Sequence, residues 1–275
     1  MNKKPKGSLI IIGGHENKDG DASILTEVSK RANRGKGSLV IVSVASNLPE
    51  EVNSEYVDVF KRLGVRDVAV LDVRARAEAH EPKNVETVMK ASVIFFTGGD
   101  QLRITSQIGD SPVYRCMRDL HLNGGTIVGT SAGAAAMSET MLIAGSGDES
   151  NRISALDMAP GLGLLNEVVI DSHFAERGRM GRLLGAVAQN PKNLGVGIDE
   201  DTAIIVEQGD SFRVLGSGAV YIVDGTDVSY SNLSDRNPEG ILTLHNVKLH
   251  VLGADDCFDL VNRCPILPQV EAKAS

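Results

Sequence analysis

The sequence predicts an α/β protein with an open, mainly parallel sheet flanked by helices and an antiparallel C-terminal portion. Three observations carry this prediction. Up to Ile198, short β-branched runs alternate with segments of helical periodicity. The strand-like runs, such as Leu9-Ile10-Ile11-Ile12 and Val93-Ile94-Phe95-Phe96, are continuously apolar rather than alternating, so both faces of the sheet must be covered by helices. From Thr202 onward, short strands follow one another across tight glycine-bearing turns.

The elements follow in order. A first strand over 8–12 ends at Gly13-Gly14. A helix over 22–34 has Asp21 as its cap, and a strand over 38–44 follows. The helix over 50–63 gathers Val52, Tyr56, Val57, Phe60 and Leu63 on one face and stops at Gly64. A strand over 67–73, a short helix over 85–90 and a strand over 92–96 lead to Thr97-Gly98-Gly99-Asp100. Two helices come next. One covers about 100–107, and the other opens at Ser111-Pro112, a cap with proline at the first helical position, and stops at Asn123-Gly124.

The apolar run 125–128 then enters Gly129-Thr130-Ser131-Ala132-Gly133-Ala134 and a helix. Residues 145–151 read as a polar, glycine-rich loop. Strands over 168–170 and 194–198 are separated by a basic helical stretch over 176–190. Strands over 203–207, 211–215 and 219–223 are joined by Gln208-Gly209-Asp210 and Gly216-Ser217-Gly218 as hairpins. A last strand pair falls in 242–252, and 265–275 reads as a surface tail. The expected organisation is one catalytic domain over 1–275, with the β-hairpin portion at about 202–260.

Composition narrows the function. The chain has 275 residues, 42% of them hydrophobic, which is enough for a large core. It has no apolar run long enough for a membrane span. The run after the basic N-terminus is too short for a signal-peptide core, so the expected location is cytoplasmic. Three cysteines without metal-ligand spacing (Cys116, Cys257 and Cys264) read as thiols in a reducing compartment. A net charge of −8 argues against nucleic acid as a partner. With no tryptophan and 4% aromatics, a stacking surface for sugars or bases is not expected.

Gly129-Thr130-Ser131-Ala132-Gly133 has the glycine-x-serine-x-glycine form of a nucleophile elbow. A strand turning sharply into a helix puts the serine at the apex, and small neighbours leave room for the turn and for substrate. A serine nucleophile needs a base and a group that orients the base, and in open α/β sheets these lie on loops at the carboxyl ends of strands. His15, after Gly13-Gly14, and His173, after the strand at 168, both meet that condition, and position does not separate them. His80, His121, His245 and His250 fall in a polar stretch, a helix and the C-terminal strands, and read as surface or packed histidines. Asp199-Glu200-Asp201 offers three candidate acids at the end of the strand over 194–198. Arg177, Arg179 and Arg182 follow His173; on a helix Arg179 and Arg182 share a face and suit carboxylate recognition. Gly98-Gly99 at a strand end allows close backbone approach, so the Gly99 N–H is a candidate oxyanion donor.

Four blocks in order then resemble the cyanophycinase family. They are Phe95-Phe96-Thr97-Gly98-Gly99-Asp100-Gln101, the elbow at Ser131, Asp171-Ser172-His173-Phe174 with Arg177, Gly178, Arg179 and Arg182, and Gly197-Ile198-Asp199-Glu200 with Thr202-Ala203. The resemblance implies a glutamine-amidotransferase-like fold and a serine exopeptidase. The implied substrate is cyanophycin, a poly-aspartate backbone with arginine amide-linked to each β-carboxyl, and the product is β-aspartyl-arginine. It implies Ser131 as nucleophile, His173 as base, Glu200 as orienting acid, and Gly99 and Ala132 as oxyanion donors. Gln101, Asp171, Ser172, Arg177, Arg179 and Arg182 fall on substrate-pocket positions. On this reading arginines hold the substrate's carboxylates, and Asp171 or another carboxylate holds its guanidinium. The family has glutamine where this chain has Ser172, a shorter side chain with fewer hydrogen bonds, and the expected consequence falls on substrate affinity.

The resemblance further implies a homodimer, with no metal and no organic cofactor. Two other readings stand beside it. One is an aspartyl dipeptidase of the same superfamily; such relatives are generally shorter and lack the hairpin extension. The other is a non-catalytic binding protein on the same scaffold, disfavoured by a complete serine, histidine and glutamate set.

Overall fold

Ser8–Ile12 (β1) is the centre of a nine-stranded sheet in the computed structural model, which describes residues 7–34, 36–144, 156–234 and 240–267. The chain continues through α1 (Ser23–Arg34), β2 (Ser38–Val42), α2 (Pro49–Arg62) and β3 (Val68–Leu71). A 3-10 turn, Arg76–His80, precedes α3 (Pro82–Met89), β4 (Ala91–Phe96), α4 (Gln101–Ile108), α5 (Pro112–Leu122), β5 (Thr126–Thr130) and α6 (Ala132–Ala135). Then come β6 (Thr140–Ala144), β7 (Asp157–Pro160), β8 (Val168–Asp171), α7 (Met180–Gln189), β9 (Leu194–Ile198), β10 (Thr202–Glu207) and β11 (Ser211–Gly216). The last strands are β12 (Val220–Asp224), β13 (Tyr230–Ser231), β14 (Leu244–His245), β15 (Lys248–Leu252), β16 (Cys257–Asp259) and β17 (Cys264–Ile266).

Local chemistry sets the helix starts near the site. Proline opens α2, α3 and α5, where its missing N–H costs nothing. The Asp100 carboxylate caps α4 by accepting from Leu102 N–H, and the Ser111 hydroxyl caps α5 by accepting from Tyr114 N–H. In α2, Glu50 and Glu51 sit in the first turn and Lys61 and Arg62 in the last, matching the helix dipole.

The large sheet has the order β3-β2-β4-β5-β1-β10-β11-β16-β17. Its first five strands are parallel, and β10 onward run antiparallel. Every residue of β1, β2 and β5 is buried, as continuously apolar strands require.

The large, mainly parallel sheet with its antiparallel C-terminal strands is the fold class expected, but not every strand joins it. Strands β8 and β9 form a second, four-stranded sheet of order β15-β12-β9-β8. A strand has two edges, and those of β1 are taken by β5 and β10, so β9 has no place beside it. Apolar side chains of both sheets join one core, with Leu9, Ile11 and Ile127 in the same cluster as Ile170, Val196 and Ile222. The expected pair in 242–252 is also different: β14 pairs with β13, while β15 pairs with β12. The helix expected over 176–190 starts at Met180, because 173–179 is used to turn the chain at the site. The elbow helix α6 has only four residues. The start of the expected tail is strand β17. The loop 145–151 and the tail beyond Leu267 lie outside the described residues. Among the described residues no helix is long and apolar enough to cross a membrane.

Candidate active site

The carboxyl ends of β1 and β5 from the large sheet meet those of β8 and β9 from the small one, and Gly13-Gly14 is the seam. Ser131 N–H donates to Ile12 O at 3.0 Å, and His173 N–H donates to Gly13 O at 2.8 Å. Gly13 N–H donates to Thr202 O at 2.9 Å, and Asp201 N–H to Gly14 O at 2.9 Å. Glycine is required at both positions. A Cβ on Gly13 would lie 2.0 Å from Asp199 O. Gly14 has φ +107°, and a Cβ there would lie 2.3 Å from His173 Cε1.

Ser131 follows β5 with φ 54° and ψ −111°, a conformation that L-residues rarely adopt. The motif's glycines allow this turn by close packing. A Cβ on Gly129 would lie 2.4 Å from Gly133 O, and one on Gly133 would lie 2.6 Å from Phe96 O. Ser131 Oγ is 2.8 Å from His173 Nε2, and His173 Nδ1 is 2.6 Å from Glu200 Oε1. His173 is buried and also has positive φ, 47°. An ionised carboxylate only accepts, so Nδ1–H donates to Glu200 and the Nε2 lone pair faces the serine hydroxyl.

Burial pushes the His173 imidazole below its ordinary pKa, with Arg177 and His15 acting in the same direction and the Glu200 hydrogen bond against it. For Glu200 burial acts upward, but the hydrogen bond from His173 and the nearby His15, His173 and Arg177 outweigh it and hold the carboxyl below its usual range. A neutral imidazole beside an ionised carboxylate is the state in which a base can accept a serine proton.

The other two acids of the 199–201 trio are used structurally. Asp199 accepts from the N–H groups of Ala175 and Ala219, and Asp201 accepts from Asn17 N–H and the Ser217 hydroxyl. His15, the other candidate base, is directed at Glu200 and not at Ser131: its Nδ1 lies 3.1 Å from Glu200 Oε2.

Two cavities flank Ser131. One of 190 Å³ is lined by Gly99, Gln101, Ala132, Asp171, Ser172 and all three arginines. The other, of 370 Å³, is lined by His15, Glu16, Lys18, Tyr56, Gly99 and Arg177. A larger cavity of 910 Å³ lies around Ser8, Ala91 and Thr126, at the amino ends of strands and far from this chemistry.

Several pocket residues have partners within the chain. Asp171 is fully buried, and its own chain occupies it: Arg182 Nε donates to Oδ2 at 2.6 Å, and Arg182 and Arg179 both reach Oδ1. Its carboxylate thus anchors two arginines at the wall of the smaller cavity. Arg179 also donates to Ser172 O, and burial lowers its pKa to about 10 despite Asp171. Arg177 is exposed, lines both cavities and makes no ion pair among the described residues. Gln101 spends its amide N–H on Leu142 O at 2.7 Å.

Sequence reasoning missed Glu16. It is buried and accepts from Thr130 Oγ1 at 2.6 Å and from the Tyr56 hydroxyl, which ties the residue before the nucleophile to α2. Its one signal in the sequence is its place just past the carboxyl end of β1, beside His15.

The profile of peptidase family S51 matches residues 9–215. A cyanophycinase from Nostoc sp. is 39% identical over 272 residues, which covers 98% of this chain and 91% of that protein. One from Geminocystis herdmanii is also 39% identical over 272 residues, covering 98% of this chain and 100% of that protein. A solved peptidase from an acI-B1 Actinobacterium superposes with a TM-score of 0.70 at 20% identity, over 94% of this chain and 98% of that one. A putative peptidase E from Listeria monocytogenes does so at 0.53 and 15% identity, over 77% of this chain and 99% of that one. The two solved structures speak for the fold alone. With the profile spanning both strands that end at the serine and the histidine, and with near-complete relatives at 39% identity, the chain belongs to peptidase family S51.

Proposed function

We propose that this chain is a serine-type exopeptidase that hydrolyses cyanophycin to β-aspartyl-arginine dipeptides. The observation that carries the reading is the continuous relay from Ser131 Oγ through the His173 imidazole to Glu200, at 2.8 and 2.6 Å, on a positive-φ elbow between two cavities. The substrate comes from the cyanophycinases that match nearly the whole chain.

In the reaction, His173 Nε2 takes the Ser131 proton as Oγ attacks a backbone carbonyl of the polymer. The Glu200 carboxylate stabilises the imidazolium that forms. Negative charge develops on the carbonyl oxygen, and the backbone N–H groups of Gly99 and Ala132, which line the cavity with Ser131, are its donors. The imidazolium then protonates the leaving amine. Water, deprotonated by His173, then hydrolyses the acyl-enzyme. Arg177 is the guanidinium that meets a substrate carboxylate, because Arg179 and Arg182 face Asp171.

The three free cysteines support a cytoplasmic protein. The outer strand β15, with Leu249 and Val251 exposed, supports association of two copies into a homodimer. Incubating the protein with purified cyanophycin and weighing the products tests the activity. β-Aspartyl-arginine is expected from the native chain and not from Ser131→Ala, whose rate should fall by about a million-fold. Release from aspartyl dipeptides with the polymer untouched would replace the reading with a dipeptidase.

A further inference from the structure

Glu200 has two imidazole neighbours, and the reaction uses one. Its Oε1 faces His173 Nδ1 at 2.6 Å, and its Oε2 faces His15 Nδ1 at 3.1 Å. The two rings meet edge to face with centroids 5.1 Å apart. One ligand atom from each of the three side chains lies within 4.8 Å of the others. Two imidazoles and a carboxylate form a zinc donor set. With metal–ligand distances of about 2.0–2.2 Å, tetrahedral donors stand ~3.3 Å apart, a spacing between the 2.6 and 3.1 Å Glu200–imidazole contacts and the 4.8 Å within which all three donors fall, so only a modest adjustment is needed. The His15 side chain is 71% exposed and free to make that adjustment, and it lines the 370 Å³ cavity, which leaves a fourth position for water. Arg177 lines the same cavity and opposes a cation, while the Glu200 carboxylate favours one.

We propose that His15, His173 and Glu200 form an inhibitory site for a divalent transition-metal ion of the zinc type, which binds His173 through Nδ1. The inhibition works through the tautomer. Without metal, Nδ1 carries the ring proton and Nε2 accepts from Ser131. A metal at Nδ1 requires that lone pair, so in the neutral ring the proton resides on Nε2. Nε2 then donates to Ser131 Oγ and cannot take its proton. No proton is lost from the ring, and no bond to substrate is needed for the block. The Gly13-Gly14 seam creates this arrangement, since it fixes His15 and His173 on facing loops.

The effect on turnover rests on the relay proposed above, whereas the binding does not, so the two are measured separately. Zn²⁺ is titrated by calorimetry into the metal-free native protein and into His15→Asn, a residue that tolerates the φ of 46° at this position. Cyanophycin hydrolysis is titrated with Zn²⁺ in parallel, each protein scaled to its own metal-free rate, with reversal by EDTA. One Zn²⁺ per native chain is expected, with inhibition at the same midpoint. Both should weaken by more than about tenfold in His15→Asn, since loss of even an outer partner of a metal costs that much. Binding and inhibition at the same Zn²⁺ concentration in both proteins would put the metal elsewhere, for example on the exposed Cys264 thiol, and overturn the proposal. ¹⁵N shifts of the His173 ring in the native chain give a test that needs no variant. The proton should move from Nδ1 to Nε2 at saturating Zn²⁺, and an unchanged ring would sink the idea. If no polymer is cleaved, the proposed activity fails while calorimetry still decides the metal site.

Discussion

At the scale of single residues, the pH response follows from His173. The base works only when neutral, and burial holds its pKa below the ordinary histidine value of about 6.5. The neutral form therefore persists to lower pH than in an exposed histidine. The acid limb of a kcat/KM profile should have its inflection below about pH 6.5; one above that would contradict the burial argument. The arginines divide in a similar way. Arg177→Ala should raise KM with the melting temperature unchanged, because this guanidinium is exposed and makes no ion pair among the described residues. Arg182→Ala should cost about 3 kcal/mol of stability in denaturant titration, the low end for breaking a buried pair, because Arg179 still faces Asp171. Much of this site was legible in the sequence. The elbow named its serine by spacing, and strand ends narrowed the base to His15 or His173. Spacing could not choose between them, because the choice depends on which ring turns toward Ser131 across two sheets. The arginine partners of Asp171 were not legible for a related reason: they lie eight and eleven residues away across a turn that a helical reading of 176–190 conceals.

At the scale of elements, the turn after β1 decides whether the site assembles. Gly14→Ala would force an L-residue to φ +107° with its Cβ against the His173 ring. Strained backbone of this kind costs about 1–3 kcal/mol. The variant should lose stability by that order and lose turnover by far more, since the ring must leave its 2.8 Å contact with Ser131. Equal kcat in the variant and the native chain would show that the seam does not position the base. The parallel strands were legible because an apolar run of β-branched residues has few other uses. Their partners were less so. The β-branched run of β1 enters the large sheet, and the apolar, glycine-interrupted run of β9 enters the small one; neither pattern tells the sheets apart, and the difference lies in β10 having taken the last edge of β1. Strands β6, β7, β13, β16 and β17 went unread because several are only two or three residues long and carry no period.

At the scale of the whole molecule, the two sheets could be two domains or one, and chain length allows either. The physical arrangement favours one. Side chains from β1, β2 and β5 pack in the same cluster as those of β8, β9, β12 and β15, so pulling the sheets apart would expose the core of both. Backbone hydrogen bonds also cross the seam, from His173, after β8, to Gly13, and from Asp201, in the turn after β9, to Gly14. The reactive serine hangs from one sheet and its base and acid from the other, so neither sheet holds a working site alone. Heating should therefore give one calorimetric transition, with near-UV circular dichroism and turnover lost across the same interval. Two resolved transitions, the first removing activity while leaving the large sheet folded, would mean that the small sheet melts as a unit of its own and that the shared core does not couple them.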